Sequence, residues 1–140
     1  MSREAKPSTA TRRMPVVLQP WEGRAYQMPA MRAVFKADGD ETDSRYSVSE
    51  WWLEPGCEGP GKHAHPANDE IFYAIEGTPS VLVGKHWIDA PAGSCIVIPA
   101  GVTHDFANRT ETRAGLFNVF LPGGFEQNMP SIVQWYEENG

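Results

Sequence analysis

Chemistry in this sequence concentrates in His63, His65, Glu70 and His104, which take in three of its 4 histidines. Side chains alternate across a strand, so His63 and His65 are read as adjacent donors on one face of a single backbone edge. Glu70 follows the turn Pro66-Ala67-Asn68-Asp69 and opens an apolar run, which returns the chain beside the histidines with the carboxylate inward. His104 then closes the set from a later segment. Three neutral imidazole nitrogens and one carboxylate oxygen suit one divalent transition metal per chain, Fe, Mn, Ni, Zn, Co or Cu, better than Ca or Mg. The competing reading, ordinary polar residues at a barrel mouth, would leave converging polar groups buried without an ion.

The elements that position this quartet read as short strands. Arg45 to Leu53 is rich in aromatic and β-branched residues; Ile71 to Ile75, Ser80 to Val83, Trp87-Ile88, Ser94 to Ile98 and Ala114 to Phe120 follow, separated by corners such as Glu76-Gly77-Thr78-Pro79 and Pro91-Ala92-Gly93. Pro15 to Leu18 is expected as an edge strand, Gln19 to Gln27 as a loop and Met31 to Phe35 as a weaker strand. The acidic run Asp38 to Asp43 is expected as a solvated loop. Many short strands with almost no helical periodicity point to an all-β sandwich or small barrel. Met129 to Tyr136 permits one short C-terminal helix capping the barrel, with Ile132, Trp135 and Tyr136 on one face.

From Gly59 to Asn108 the residues resemble the two motifs of the cupin superfamily. The first runs His63-x-His65, Glu70 and Gly77; the second runs Gly93, Pro99, Gly101, His104 and Asn108. Nine positions filled at fixed spacings form a far more specific signal than one short motif. The departure is Cys57, where the family has a glycine six positions before the first histidine. More loosely, Phe120 to Glu126 and Glu54-Pro55-Gly56 resemble the small single-domain cupins called quercetin-dioxygenase-like. The resemblance implies an antiparallel jelly-roll (cupin) barrel with a metal inside, and a homodimer through exchanged or paired edge strands.

The chain has 140 residues, 41% hydrophobic and 21% charged, which fits one globular domain. We read residues 1–13 as a flexible arm and 14–140 as the single cupin domain. A net charge of −6 opposes binding to nucleic acid or to anionic membranes. No apolar run reaches spanning length, and the N-terminus lacks a signal-like apolar core, so the expected compartment is cytoplasmic. Two cysteines are too few for a disulfide framework; Cys95 is expected to be buried and Cys57 exposed. His86 is expected to be exposed and inert, and Asn108 to bond the backbone.

Around the quartet, Glu50 is the second acid with a claim on the interior, and Glu70 and Glu50 are the candidate catalytic groups. Trp52, Phe72, Phe106 and Phe117 are the candidate pocket lining. With open metal positions for substrate and dioxygen, the expected activity is that of a dioxygenase or oxidoreductase on a small aromatic or enol-bearing molecule. A metal-dependent isomerase, cyclase or lyase is the first alternative, and a non-catalytic small-ligand-binding module the second.

Overall fold

The computed structural model describes residues 14–139, so the arm expected over residues 1–13 lies outside the described residues. Nine strands form among the described residues: β1 (Arg24–Met28), β2 (Met31–Ala37), β3 (Ser47–Leu53), β4 (Asp69–Glu76), β5 (Ser80–Val83), β6 (His86–Asp89), β7 (Cys95–Ile98), β8 (His104–Ala107) and β9 (Ala114–Leu121). They build an antiparallel six-stranded sheet in the order β1-β2-β3-β9-β4-β7 and a three-stranded sheet in the order β6-β5-β8. A short helix α1 (Gly39–Thr42) and a C-terminal helix α2 (Met129–Asn139), entered through a 3-10 turn at Phe125–Asn128, complete an all-β jelly roll.

The two sheets face each other across an apolar core with aromatic rings at its centre. Trp51 of β3 and Phe72 of β4 come from the large sheet, and Phe106 of β8 from the small one. Their centroids lie 5.8 Å (Trp51–Phe106) and 5.9 Å (Phe72–Phe106) apart, within the range of favourable aromatic pairing. The loop delivering the chain to His63 lies directly against β8. A Cβ at Gly59 would stand 1.8 Å from the Phe106 carbonyl oxygen, so only glycine permits that approach.

Several expectations need correction. Residues 14–19 form no strand, whereas β1 occupies part of the stretch expected as a loop. β1 forms because Arg24 to Met28 pairs in register with Met31 to Phe35, a tertiary gain that local turn residues do not reveal. The cysteines are exchanged: Cys57 is buried and Cys95 exposed. Cys95 lies on the outward parity of β7, beside inward Ile96 and Ile98. Burial pushes the Cys57 thiol up to about 11, so it is a packed, unreactive group. His86 is exposed, as expected.

The acidic run is not a solvated loop. Asp38 is 3% exposed and holds three backbone N–H groups: Gly39 at 2.8 Å and Gly124 at 2.6 Å on Oδ1, and Glu126 at 2.8 Å on Oδ2. It therefore caps α1 and also fixes the turn from which α2 departs. Arg24 adds to this anchor by pairing with Glu126 at 2.7 Å and Glu41 at 2.6 Å. Asp38→Ala removes the acceptor of three half-buried donors and is expected to destabilise the fold by about 2–4 kcal/mol. Urea unfolding checks this, and a loss under about 0.5 kcal/mol, the range of an ordinary surface change, would refute the anchoring role.

Candidate metal centre

The three histidines are joined through their backbones before their rings meet. His63 and His104 exchange both main-chain hydrogen bonds, 3.0 Å and 2.8 Å, and Gly101 N–H donates to the His65 carbonyl at 2.9 Å. Residues 63–65 thus form a single antiparallel bridge rather than the strand expected. Alternation still holds over three residues, so the rings of His63 and His65 converge, with centroids 5.0 Å apart. Glu70, second residue of β4, enters from the large sheet and is 6% exposed. One donor atom from each of His63, His65, Glu70 and His104 lies within 4.8 Å of all the others.

The protons on these rings are set by their second nitrogens. His63 Nδ1 lies 2.7 Å from the Gly61 carbonyl and His104 Nδ1 lies 3.0 Å from the Val102 carbonyl. A carbonyl only accepts, so each Nδ1 carries its proton and each neutral ring turns a bare Nε2 lone pair into the site. Glu70 Oε1 accepts from Asn118 Nδ2 at 3.0 Å, leaving Oε2 to face the histidines. Oε2 lies 2.5 Å from His104 Nε2 and 3.4 Å from His65 Nε2. These three buried atoms meet one another and find no other hydrogen-bond partner. Electron pairs meeting at one point without protons between them call for a cation, and this set of three imidazoles and one carboxylate fits a divalent transition metal.

The electrostatics agree. Burial pushes Glu70 up, but contact with His104 and His65 outweighs it and holds the carboxyl at about 2. Burial lowers His63. At His104 burial acts the same way and is overcome by Glu70, so this imidazole is raised.

Above the quartet lies a cavity of about 360 Å³ whose walls include Trp51, Phe72 and Phe106, roofed by Phe125, Ile132 and Tyr136. Phe72 and Phe106 thus sit where the sequence suggested. Glu50, Trp52 and Phe117 do not: all three face away, onto the outer surface of the large sheet. Glu50 accepts from Trp52 Nε1 at 3.2 Å and lies 3.6 Å from Lys36, while Trp52 packs on Trp21 at 4.7 Å. Phe117 borders an outer groove with Val16 and Leu18. The inward face of β3 is instead Ser47, Ser49, Trp51 and Leu53. Its serines are satisfied internally, Ser49 Oγ accepting from Trp51 Nε1 at 2.9 Å and Ser47 Oγ from the Phe125 N–H at 3.3 Å. Asn108 bonds the backbone, its amide donating to the Leu53, Glu54 and Thr112 carbonyls.

Sequence reasoning missed Trp51 and Asn118. Inward position on β9, shared with Leu116 and Phe120, was the signal that could have revealed Asn118. An amide on an otherwise apolar interior row needs a buried partner, here Glu70.

A jelly roll with three histidines and a glutamate clustered between its sheets, in a set that fits a metal, is the arrangement of a small cupin. The cupin domain model matches residues 49–120, and the chain belongs to this family. It is 33% identical over 45 residues to an uncharacterized protein of Streptomyces coelicolor, covering 32% of this chain. The match spans 43%, less than half, of that curated relative's length. KdgF from Halomonas sp. superposes with a TM-score of 0.70 at 16% identity, covering 81% of this chain and 99% of that one. A sugar phosphate isomerase of the cupin superfamily from Silicibacter pomeroyi gives 0.60 at 28% identity, covering 67% of this chain and 60% of that one. Among the described residues, no helix is long and apolar enough to cross a membrane.

Protons and metal compete for the same Nε2 lone pairs. Apparent zinc affinity is therefore expected to be flat above the raised His104 pKa and to fall as pH drops through it, by up to about tenfold per unit for each proton displaced. The slope steepens lower down, where His63 also protonates. Competition with a chromophoric chelator across pH measures this, and a flat profile down to pH about 5, below the ordinary histidine range, would contradict the histidine ligands.

Proposed function

We propose that this chain is a metal-dependent enzyme acting on a small molecule, a dioxygenase whose substrate is aromatic or enol-bearing. The reading rests on bare donor atoms opening onto an apolar, aromatic-walled cavity, with no lysine or arginine among its described lining residues. A bound divalent transition metal would supply an electrophilic centre with coordination positions left for a substrate oxygen and dioxygen. His63, His65 and His104 would hold it through Nε2, and Glu70 through Oε2.

The chain's own residues do the remaining work. Trp51, Phe72 and Phe106 present ring surfaces that receive a planar body and exclude water from it. Glu70 Oε2, once released from its ligand role, would accept the proton of an incoming phenol or enol hydroxyl, while Asn118 keeps Oε1 in place. Both atoms of dioxygen would enter the organic product, so no external reductant is required. A sugar phosphate, the substrate type in the name of the Silicibacter protein, suits this cavity poorly, since no cationic side chain lines it to pair with phosphate.

Iron(II)-loaded protein supplied with catechols and β-diketones is expected to consume dioxygen in step with substrate. Turnover that persists in anaerobic buffer would move the chain to isomerase, cyclase or lyase chemistry. Saturable binding with no turnover would make it the non-catalytic ligand-binding module.

A further inference from the structure

Among the described residues, the buried side-chain nitrogen and oxygen atoms without a hydrogen-bond partner are His65 Nε2, Glu70 Oε2, His104 Nε2 and the Tyr136 hydroxyl oxygen. One ion would satisfy the first three. The fourth belongs to α2, a different element from those that carry the other three. Tyr136 nevertheless lines the same cavity, in the roof beside Ile132. Leaving a phenol hydroxyl unpaired in an interior is costly, and sites that bind polar ligands are where proteins tolerate that cost.

The other polar groups of the cavity wall are already engaged or face solvent. Trp51 Nε1 donates to Ser49 Oγ at 2.9 Å, and Asn118 Nδ2 donates to Glu70 Oε1 at 3.0 Å. Asn128 is exposed. Tyr136 is therefore the buried donor left for a ligand on the roof side. Burial pushes its phenol well above the usual range, so it remains protonated and able to donate.

We infer that the Tyr136 hydroxyl is a substrate-binding group, donating a hydrogen bond to a neutral oxygen on the end of the substrate remote from the histidine–glutamate cluster. This rests on the metal-centred reading above and narrows its substrate class. The substrate is a small planar molecule with a phenol or enol hydroxyl at one end and a carbonyl or ether oxygen at the other. A carboxylate or phosphate at the Tyr136 end is ruled out, because the lining supplies no cation to offset its burial. Tyr136 can set such specificity because its helix is fixed: Met129 at the head of α2 is fully buried, and Asp38 grips the turn before it.

The test uses the cobalt(II)-loaded full chain and follows the visible cobalt bands. Titrants are meta- and para-acetylphenol, each against the isopropylphenol of similar shape that lacks the carbonyl. Wild type is expected to bind the better acetyl isomer about tenfold more tightly than its isopropyl counterpart, since a buried donor rejects a ligand that cannot accept. Tyr136→Phe is expected to erase that preference while cobalt occupancy, isopropylphenol affinity and melting temperature stay unchanged. Ile132→Val, on the same roof, is expected to keep it. A preference equal in wild type and Tyr136→Phe, or lost equally in Ile132→Val, would overturn the role of Tyr136 and leave the metal-centred reading standing. Cobalt bands untouched by every phenol would instead contradict that reading, and this inference with it.

Discussion

Electron pairs converging without protons between them are the constraint on which this structure turns. Carbonyls of Gly61 and Val102 fix the Nδ1 protons of His63 and His104, and an Asn118 amide fixes one oxygen of Glu70. What remains on the inner side is acceptor only. Burying such a cluster in an apolar interior costs several kcal/mol unless a cation joins it, so a metal bound here would be coupled to the fold through one site.

The jelly roll makes that convergence cheap to maintain. Glu70 and His104 stand at the start of a strand and His63 on a backbone bridge, so their direction follows from the sheet's pleat, and His65 is tied through its carbonyl to Gly101. The large sheet supplies Glu70 and its Asn118 partner. The small sheet supplies His104, and the His63 bridge extends that sheet's edge. Closing the cavity from above, α2 contributes Ile132 and Tyr136 to its lining. The Asp38 anchor holds that roof, linking a cap at one corner of the fold to the shape of the site.

Much of this was legible in the sequence for a specific reason. Metal ligands are set by residue type and spacing, and corners by glycine and proline, so the quartet and most strands could be read directly. The facing of strands was harder. On β9 both parities are apolar because the outer face is itself partly covered, so Phe117 looked as inward as Leu116. On β3 the inward face carries two serines whose partners, Trp51 and the Phe125 N–H, include one from far along the chain. Pattern alone therefore preferred Glu50 and Trp52, and the alternation was right while its sign was wrong. Asp38 was misread similarly: an acidic run looks solvated until the N–H groups of Gly124 and Glu126, distant in sequence, are seen to need an acceptor. Tyr136 was placed on the helical cap by periodicity, but its unpaired hydroxyl is visible only in three dimensions.

The most direct measurement of the central claim is elemental analysis of the protein purified without chelators, alongside His63→Ala. The account predicts about one transition-metal ion per chain in wild type, and a variant that remains folded yet loses most of it, since a lost ligand in a four-donor site sharply weakens binding. Full occupancy retained by folded His63→Ala would contradict the site as described.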